Sequence, residues 1–284
     1  MKENSKISAL IVSYYTTDIL FDSINSCLNM NGIKEVIVVN NGNTPEIVEK
    51  LVSMNQKFEI KLIDGQGNVG FSKGCNIAVK NATGEYLLFI NPDCYTDDKD
   101  FAIKLQNAIE RNNKYWFATA FIMNSDGSIQ KTCRRNLMTP LNAISESLGL
   151  RIINIPQINL DIKEIENLPE ISPVPAFSGA LFFCSKEKYI KVGMLSEEYF
   201  LHVEDMDLCK KISIIGGKIC FVKSAKIYHK LSTSQTTSKF LEYHKAKGFI
   251  LYLSKYFKCC RFPILNQLIK FAIWTRYYIK TLVL

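Results

Sequence analysis

Three times in its first 81 residues the chain repeats one unit: a short apolar run, a polar turn, then an amphipathic stretch. The runs are Ile7–Ser13, Glu35–Val39 and Glu59–Ile63, and a fourth, Tyr86–Ile90, ends abruptly in Asn91-Pro92-Asp93. Runs this short are rich enough in branched and aromatic residues to read as strands buried on both faces. The intervening stretches, Thr17–Asn29 and the segment opened by Pro45, carry helical spacing, with Pro45 near a first turn. Strand, turn and helix in alternation predict a doubly wound, Rossmann-like parallel sheet. In such sheets ligands bind outside the carboxyl ends of the strands, so Asp93 is expected to face a pocket. Its hard oxygens suit Mg2+ or Mn2+ carrying a phosphate ligand, although Asn-Pro-Asp is also simply a good turn.

After Asp64 comes Gly65-Gln-Gly-Asn68-Val-Gly70-Phe71-Ser-Lys-Gly74-Cys-Asn76. Its glycines allow close backbone approach to a ligand, and Ser72 is placed to cap a helix running to Asn81. The same loop also serves as a tight strand-to-helix connection with no ligand. A dinucleotide fingerprint would follow the first strand, where no glycine stands, and Gly-Lys-Ser/Thr is absent. A Rossmann methyltransferase or dehydrogenase is therefore disfavoured.

Further along, Asp97–Arg111 reads as a helix and Tyr115–Met123 as a strand, with a hairpin turn at Ser125–Ser128. Lys131, Arg134 and Arg135 form a basic cluster that could hold a phosphate or an acidic acceptor, or be a solvated charge run. Residues 137–175 are proline-rich without a clean period and read as an insert or lid. Phe177–Phe183 reads as a strand whose small start, Ser178-Gly179-Ala180, admits a sugar or another backbone. Then Glu204, Asp205 and Asp207 open a helix, either as complements to its dipole or as a general base over a substrate. His229, read alone, is a structural histidine.

Composition narrows the partners. A net charge of +8 suggests an acidic ligand or surface, and cations mix with aromatics after about residue 210, which favours a membrane surface over nucleic acid. The nine Cys form no zinc-type spacing and fit a reduced, cytoplasmic compartment, and no apolar signal precedes Ile7. Lys239–Lys258 and Phe262–Leu284 read as two terminal helices. Asn266, Gln267, Lys270, Arg276 and Lys280 fall within about half the circumference of the second. That makes it an interfacial helix with its cations at anionic headgroups, or a helix docked on the domain or on a second copy.

Taken in order, Ile11–Tyr15, Asn68–Asn76, Asn91–Asp93, Ser178–Ala180, Glu204–Cys209 and His229 resemble family 2 glycosyltransferases of the GT-A fold, in their rhamnosyltransferase-like branch. The resemblance implies an α/β fold, a Rossmann-like mixed sheet flanked by helices. It implies a catalytic domain over 1–237, with a nucleotide half to about 123 and an acceptor half beyond it. Residues 238–284 would be a basic amphipathic extension holding the chain on the cytoplasmic face of a membrane. It also replaces the purely structural readings of the glycine loop and His229. Ser13, Tyr14, Asn40, Asn68, Gly70, Phe71, Gly74, Asn76, Asn91 and Gly179 would bind the nucleotide-sugar. Asp93 and His229 would hold Mg2+ or Mn2+, Asp205 would be the base, and Glu204 would help to position the acceptor or base. The implied reaction is inverting transfer, with dTDP-rhamnose as first donor candidate and a UDP-hexose as alternative. The acceptor would be a glycan or lipid-linked oligosaccharide. Asn40 and Asn91 stand where the family more often has Asp, which keeps a catalytically degenerate partner protein as a competing reading.

Overall fold

A computed structural model describes residues 6–57, 59–147, 167–230 and 238–283. Strands β1 (Ile7–Ser13), β2 (Ile33–Asn40), β3 (Lys61–Ile63) and β4 (Tyr86–Ile90) form a parallel block ordered β3-β2-β1-β4. β1 is buried along its whole length, as a strand covered on both faces must be. Helices α1 (Ile19–Asn29), α2 (Pro45–Gln56) and α3 (Phe71–Asn81) make the crossovers. Ser13 at the end of β1 pairs in register with Asn40 at the end of β2, so both polar turns emerge at one edge of the sheet.

Beyond β4 the sheet becomes mixed. β5 is the two-residue Cys94–Tyr95, β6 is Tyr115–Met123, β7 Ile171–Val174, β8 Leu181–Ser185 and β9 Lys218–His229. The order continues β4-β8-β6-β9-β5, with β7 also on β9, and β8 runs antiparallel to both β4 and β6. The parallel sheet expected from the alternation thus holds for β1–β4 and recurs in the parallel β6–β9 pair, so the whole is a mixed sheet. Phe182 explains the cohesion at the junction: it stacks on Phe89 at 4.1 Å and on Phe177 at 4.8 Å between ring centroids, all three rings fully buried.

Several boundaries differ from expectation for local reasons. The helix expected from Asp97 begins at Phe101, as α4 (Phe101–Glu110), because Thr96 and Asp98 side chains accept the Asp98 and Asp100 amides and hold the chain in a turn. Ser72 caps nothing: α3 starts one residue earlier behind Gly70, whose φ of +82° turns the chain in. Phe177–Ala180 is a turn rather than strand, with β8 starting at Leu181. Within 137–175 the described residues form α5 (Pro140–Ser147) and β7, and 148–166 lie outside the described residues. The short α6 (Lys186–Lys191) follows β8, and α7 (Glu204–Ile214) precedes β9.

The two terminal helices, α8 (Ser238–Tyr256) and α9 (Pro263–Val283), pack on this body. Gly248 of α8 lies against Val203 and the His202 carbonyl so closely that an added Cβ would come to 2.9 Å and 3.0 Å. Asp207, fully buried in α7, gathers Lys255 at 2.9 Å, the Tyr256 hydroxyl at 2.8 Å, the Ser196 hydroxyl at 2.6 Å and the Tyr199 hydroxyl at 3.2 Å. Arg276 and Lys280 of α9 pair with Glu242 of α8, the Arg276 side chain mostly buried and that of Lys280 half exposed. α9 also exposes a set of large apolar residues, Ile264, Leu268, Phe271, Tyr278 and Leu282, beside Gln267 and Lys280. No helix among the described residues is long and apolar enough to cross a membrane.

Candidate active site

Topology brings the two halves together at the end of β4. Because β8 is antiparallel to β4, the turn before it faces the turn after β4, and the Asn91 N–H donates to the Ala180 carbonyl at 2.9 Å. β5 pairs with the end of β9, placing Cys94 opposite His229. His229 Nε2 therefore lies 3.1 Å from Asp93 Oδ1, both residues buried. Gln130 fixes the imidazole from behind: its Oε1 is 3.2 Å from Nδ1, and its amide donates to the His229 carbonyl at 3.0 Å. A proton on Nδ1 toward Gln130 leaves the Nε2 lone pair facing the Asp93 oxygen, an arrangement that a shared cation satisfies. Adjacent donors on an octahedral ion lie about 3 Å apart when each bond is about 2.1 Å, so the pair fits Mn2+ or Mg2+. Cys94 is the third member of the cluster, but burial pushes its thiol well up and its Sγ turns to the Ala180 carbonyl. A neutral thiol adds nothing for a hard cation.

The second group of charges enters on α7. The preceding loop turns sharply, with His202 at φ +66° and Val203 at +74°, a left-handed conformation that strains a branched residue. Two contacts pin it: the Phe71 N–H donates to the Phe200 carbonyl at 2.8 Å, and Gly248 seats Val203. The turn drives Glu204 and Asp205 inward. Asp205 is held at both oxygens: Oδ1 accepts from the Met206 amide at 2.7 Å, and Oδ2 from the Gly179 amide at 2.8 Å and from Arg135 at 2.5 Å. Burial alone would raise its pKa, but the Arg135 charge and these hydrogen bonds hold it below the usual Asp range. Glu204 is the opposite case. Burial first, and the adjacent Asp205 charge second, push it up to about 8, and its buried Oε2 accepts no hydrogen bond among the described residues. Gly179 faces this acid pair: a Cβ there would stand in ordinary contact, 3.4 Å from Asp205 Oδ2 and 3.5 Å from Glu204 Oε1.

A cavity of about 400 Å³ joins these parts, with Phe71, Asn91, Gly179, Glu204, Asp205 and His229 among its walls. The other expected donor residues sit beside it or behind it. Ser13 and Asn40 belong to a hydrogen-bonded network at the strand ends: Asn43 bonds both, and Asn40 donates to Asp64 at 2.9 Å. An Asp at position 40 could not make that last contact. Tyr14 covers Gly42 and leans on Tyr15, while the exposed Asn68 accepts the Gly70 amide. Gly70 and Gly74 serve close packing, since a Cβ would come within 2.6 Å of the Phe200 carbonyl and 2.8 Å of Val12 respectively. Asn76 is buried, bonded to the Leu195 carbonyl, Glu197 and the Tyr189 hydroxyl, and so ties α3 to the segment after β8.

Sequence reasoning passed over Gln130, Lys245 and Phe249, all cavity-lining. Arg135 lay within the noted basic cluster, whose members diverge in space: Lys131 is exposed, Arg134 lies over the Phe221 ring, and Arg135 reaches Asp205. Its backbone pairs with Ala176, which aims it at the turn before β8. Lys245 and Phe249 come from α8, whose basic, aromatic sequence gave no sign that it walls a cavity.

Comparison with known proteins agrees with this geometry. The model of glycosyl transferase family 2 matches residues 8–186. A hexosyltransferase of low-salt glycan biosynthesis, Agl10 of Haloferax volcanii, is 24% identical over 207 residues, covering 72% of this chain and 60% of its own. The rhamnosyltransferase WbbL of Escherichia coli K12 is 23% identical over 172 residues, 57% of this chain and 61% of its own. The chain thus spans about three fifths of the length of these curated relatives. Among solved structures, GalNAc-T7 with UDP, GalNAc and Mn2+ superposes with a TM-score of 0.67 over 91% of this chain and 49% of that one, at 15% identity. That likeness establishes a GT-A fold, and with the family match over residues 8–186 the chain belongs to glycosyl transferase family 2.

Proposed function

We propose that this chain moves a sugar from a nucleotide-sugar donor to a hydroxyl of a glycan or lipid-linked acceptor, with inversion, in cell-surface polysaccharide synthesis. The observation that carries the reading is the single cavity that exposes His229, paired with Asp93, together with Glu204 and Asp205. Asp93 and His229 would hold Mn2+ or Mg2+, which when bound neutralises charge on the departing nucleoside diphosphate. The other residues bind and orient. Ser13, Tyr14, Asn40 and the 68–76 loop frame the nucleotide, with Phe71 and Asn91 next to the sugar, and Gly179 leaves room for the acceptor. The acidic pair supplies the base for the acceptor hydroxyl, Asp205 being the member that the family motif assigns. The rhamnosyltransferase among the relatives supports dTDP-rhamnose as first donor candidate, and the UDP bound by the solved neighbour supports a UDP-hexose as the alternative. The exposed apolar face of α9 supports peripheral attachment at the cytoplasmic membrane face, where a lipid-linked acceptor would be met.

Calorimetry with dTDP-rhamnose, UDP-glucose, UDP-galactose and GDP-mannose, with and without Mn2+, tests the donor site. Metal-dependent binding of one donor, lost in Asp93→Ala, is expected. Asp205→Asn should remove transfer while leaving donor affinity within a few-fold. Absence of binding by every donor with either metal would refute the reading.

A further inference from the structure

The net charge of the chain sits in one place. Of 35 Lys and Arg and 27 Asp and Glu, residues 238–284 hold nine and one, so this segment accounts for the whole +8 and residues 1–237 are neutral in sum. The same segment carries an outward apolar face. Ile264, Leu268, Phe271, Tyr278, Ile279 and Leu282 of α9 are between 57% and 84% exposed. At 100° per residue these six fall within an arc of about 100°, shared with Thr275 and no charged residue, while the buried Ile269 and Ile273 lie on the opposite side. Exposed cations border the face: Lys258 precedes Phe262, and Lys247 lies over the ring of Tyr243, which packs on Trp274 of α9. An apolar arc bordered by cations suits a bilayer with anionic headgroups, the arc entering the acyl boundary and the ammonium groups meeting phosphates. A second copy of this chain on the same face would set one +8 segment against another.

The α8 helix joins that face to the catalytic cavity. Glu242, which accepts from Arg276 of α9 at 2.9 Å, is followed at helical spacing by Lys245 and Phe249, so the three lie along one stripe. The last two line the cavity, together with Met138, Leu201 and Val203. From the α9 contact to Phe249 the stripe rises about 10 Å, two turns of helix. Arg135 serves Asp205 and the Phe177 carbonyl, which offsets the Asp205 charge, whereas Lys245 is set among apolar side chains. A cation with apolar neighbours, next to a bilayer-facing helix, fits a phosphate group carried on an alkyl chain. Resting on the glycosyl-transfer reading above, we infer that the α8–α9 pair docks on an anionic bilayer and that the acceptor is a membrane-resident amphiphile whose sugar is joined to its lipid through phosphate, which Lys245 binds. The phosphate at Lys245 then keeps the attached sugar in the cavity that Asp205 also lines.

Two measurements on the full chain test this without a donor. In the first, the protein is sedimented with vesicles of phosphatidylcholine alone and of phosphatidylcholine and phosphatidylglycerol in equal parts. Binding to the mixed vesicles is expected, about tenfold or more weaker to the neutral ones, and weakened by salt. Phe271→Glu combined with Leu282→Glu, both at exposed positions, should abolish it with Tm and donor affinity unchanged. In the second, calorimetry without metal compares dodecyl phosphate with dodecyl glucoside, each below its micellar concentration. The phosphate should bind more tightly, Lys245→Met should lose about tenfold of that affinity, Lys245→Arg should keep most of it, and the α9 double variant should be unaffected. Equal binding to both vesicle types, or none, overturns the docking surface. So does a monomer–dimer equilibrium that the double variant breaks, since a second copy then covers the face. Dodecyl phosphate binding that Lys245→Met leaves intact overturns the acceptor assignment. If donors bind while these results fail, this inference falls alone. If no donor binds, the transferase reading falls and the acceptor role with it, and vesicle binding still decides the surface.

Discussion

Replacing Asp207 with Asn tests whether the terminal helices are structurally part of the catalytic body. The carboxylate is completely buried yet meets two ammonium groups, Lys255 at 2.9 Å and Lys211 at 3.5 Å, and three hydroxyls. Burial alone would raise its pKa, but hydrogen bonds from Ser196, Lys255 and Tyr256 and the Lys211 charge hold it below the usual Asp value. Breaking one side of a buried pair costs about 3–5 kcal/mol. Here both lysines retain some solvent access, at 17% and 30% exposure, and Asn keeps one acceptor, so about 3 kcal/mol is expected. For a chain of this size that corresponds to roughly 5 °C in Tm. Because the folded pKa is depressed, the contribution is present above the ordinary Asp range and lost as pH falls through it toward the folded value. The wild-type advantage over Asp207→Asn should therefore be full at pH 7 and shrink below about pH 4. Denaturation midpoints at both pH values, with Lys255→Met and the double variant, supply the coupling energy. A loss under about 0.5 kcal/mol at pH 7, or additivity of the two substitutions, would refute the reasoning. Loosening α8 should also weaken acceptor use, since α8 carries Lys245 and Phe249 into the cavity wall.

Two further outcomes are expected. Gly70→Ala combines a φ of +82° with a Cβ 2.6 Å from the Phe200 carbonyl, whereas Gly127→Ala, at +80°, meets open space. The first should cost clearly more than the roughly 1 kcal/mol of the second by thermal denaturation, and should reduce donor affinity. Gln130→Leu removes the partner that orients His229 and should weaken Mn2+ activation about 10–100-fold with little change in Tm, measured by metal titration of activity or of donor binding.

The parallel half of the fold could be read from the chain because each of its strands is a contiguous buried run and each crossover is local. The alternation carried by Ile7–Asn81, and the acid at the end of β4, needed no long-range information. β8 was harder. Its antiparallel insertion between β4 and β6 depends on where the chain returns after residues 137–175, and no periodicity within Leu181–Ser185 encodes direction. The composition of the C-terminal segment marked amphipathic helices, but which face docks was decided by Glu242, which claims Arg276 and Lys280 and leaves Phe271 and Leu282 outward.

At the site the division is sharper. The sequence by itself determined the residue types: Asp93, Gly179, Glu204, Asp205 and His229 stand at positions whose chemistry could be named from motif and spacing. Tertiary structure alone decided their states. It laid β9 beside β5 so that His229 meets Asp93, brought Arg135 across 70 residues onto Asp205, and left Glu204 buried with an unengaged oxygen. Desolvation and charge pairing depend on neighbours in space, so of two adjacent acids that read alike in the chain one is held below the ordinary carboxylate range and the other is pushed above it.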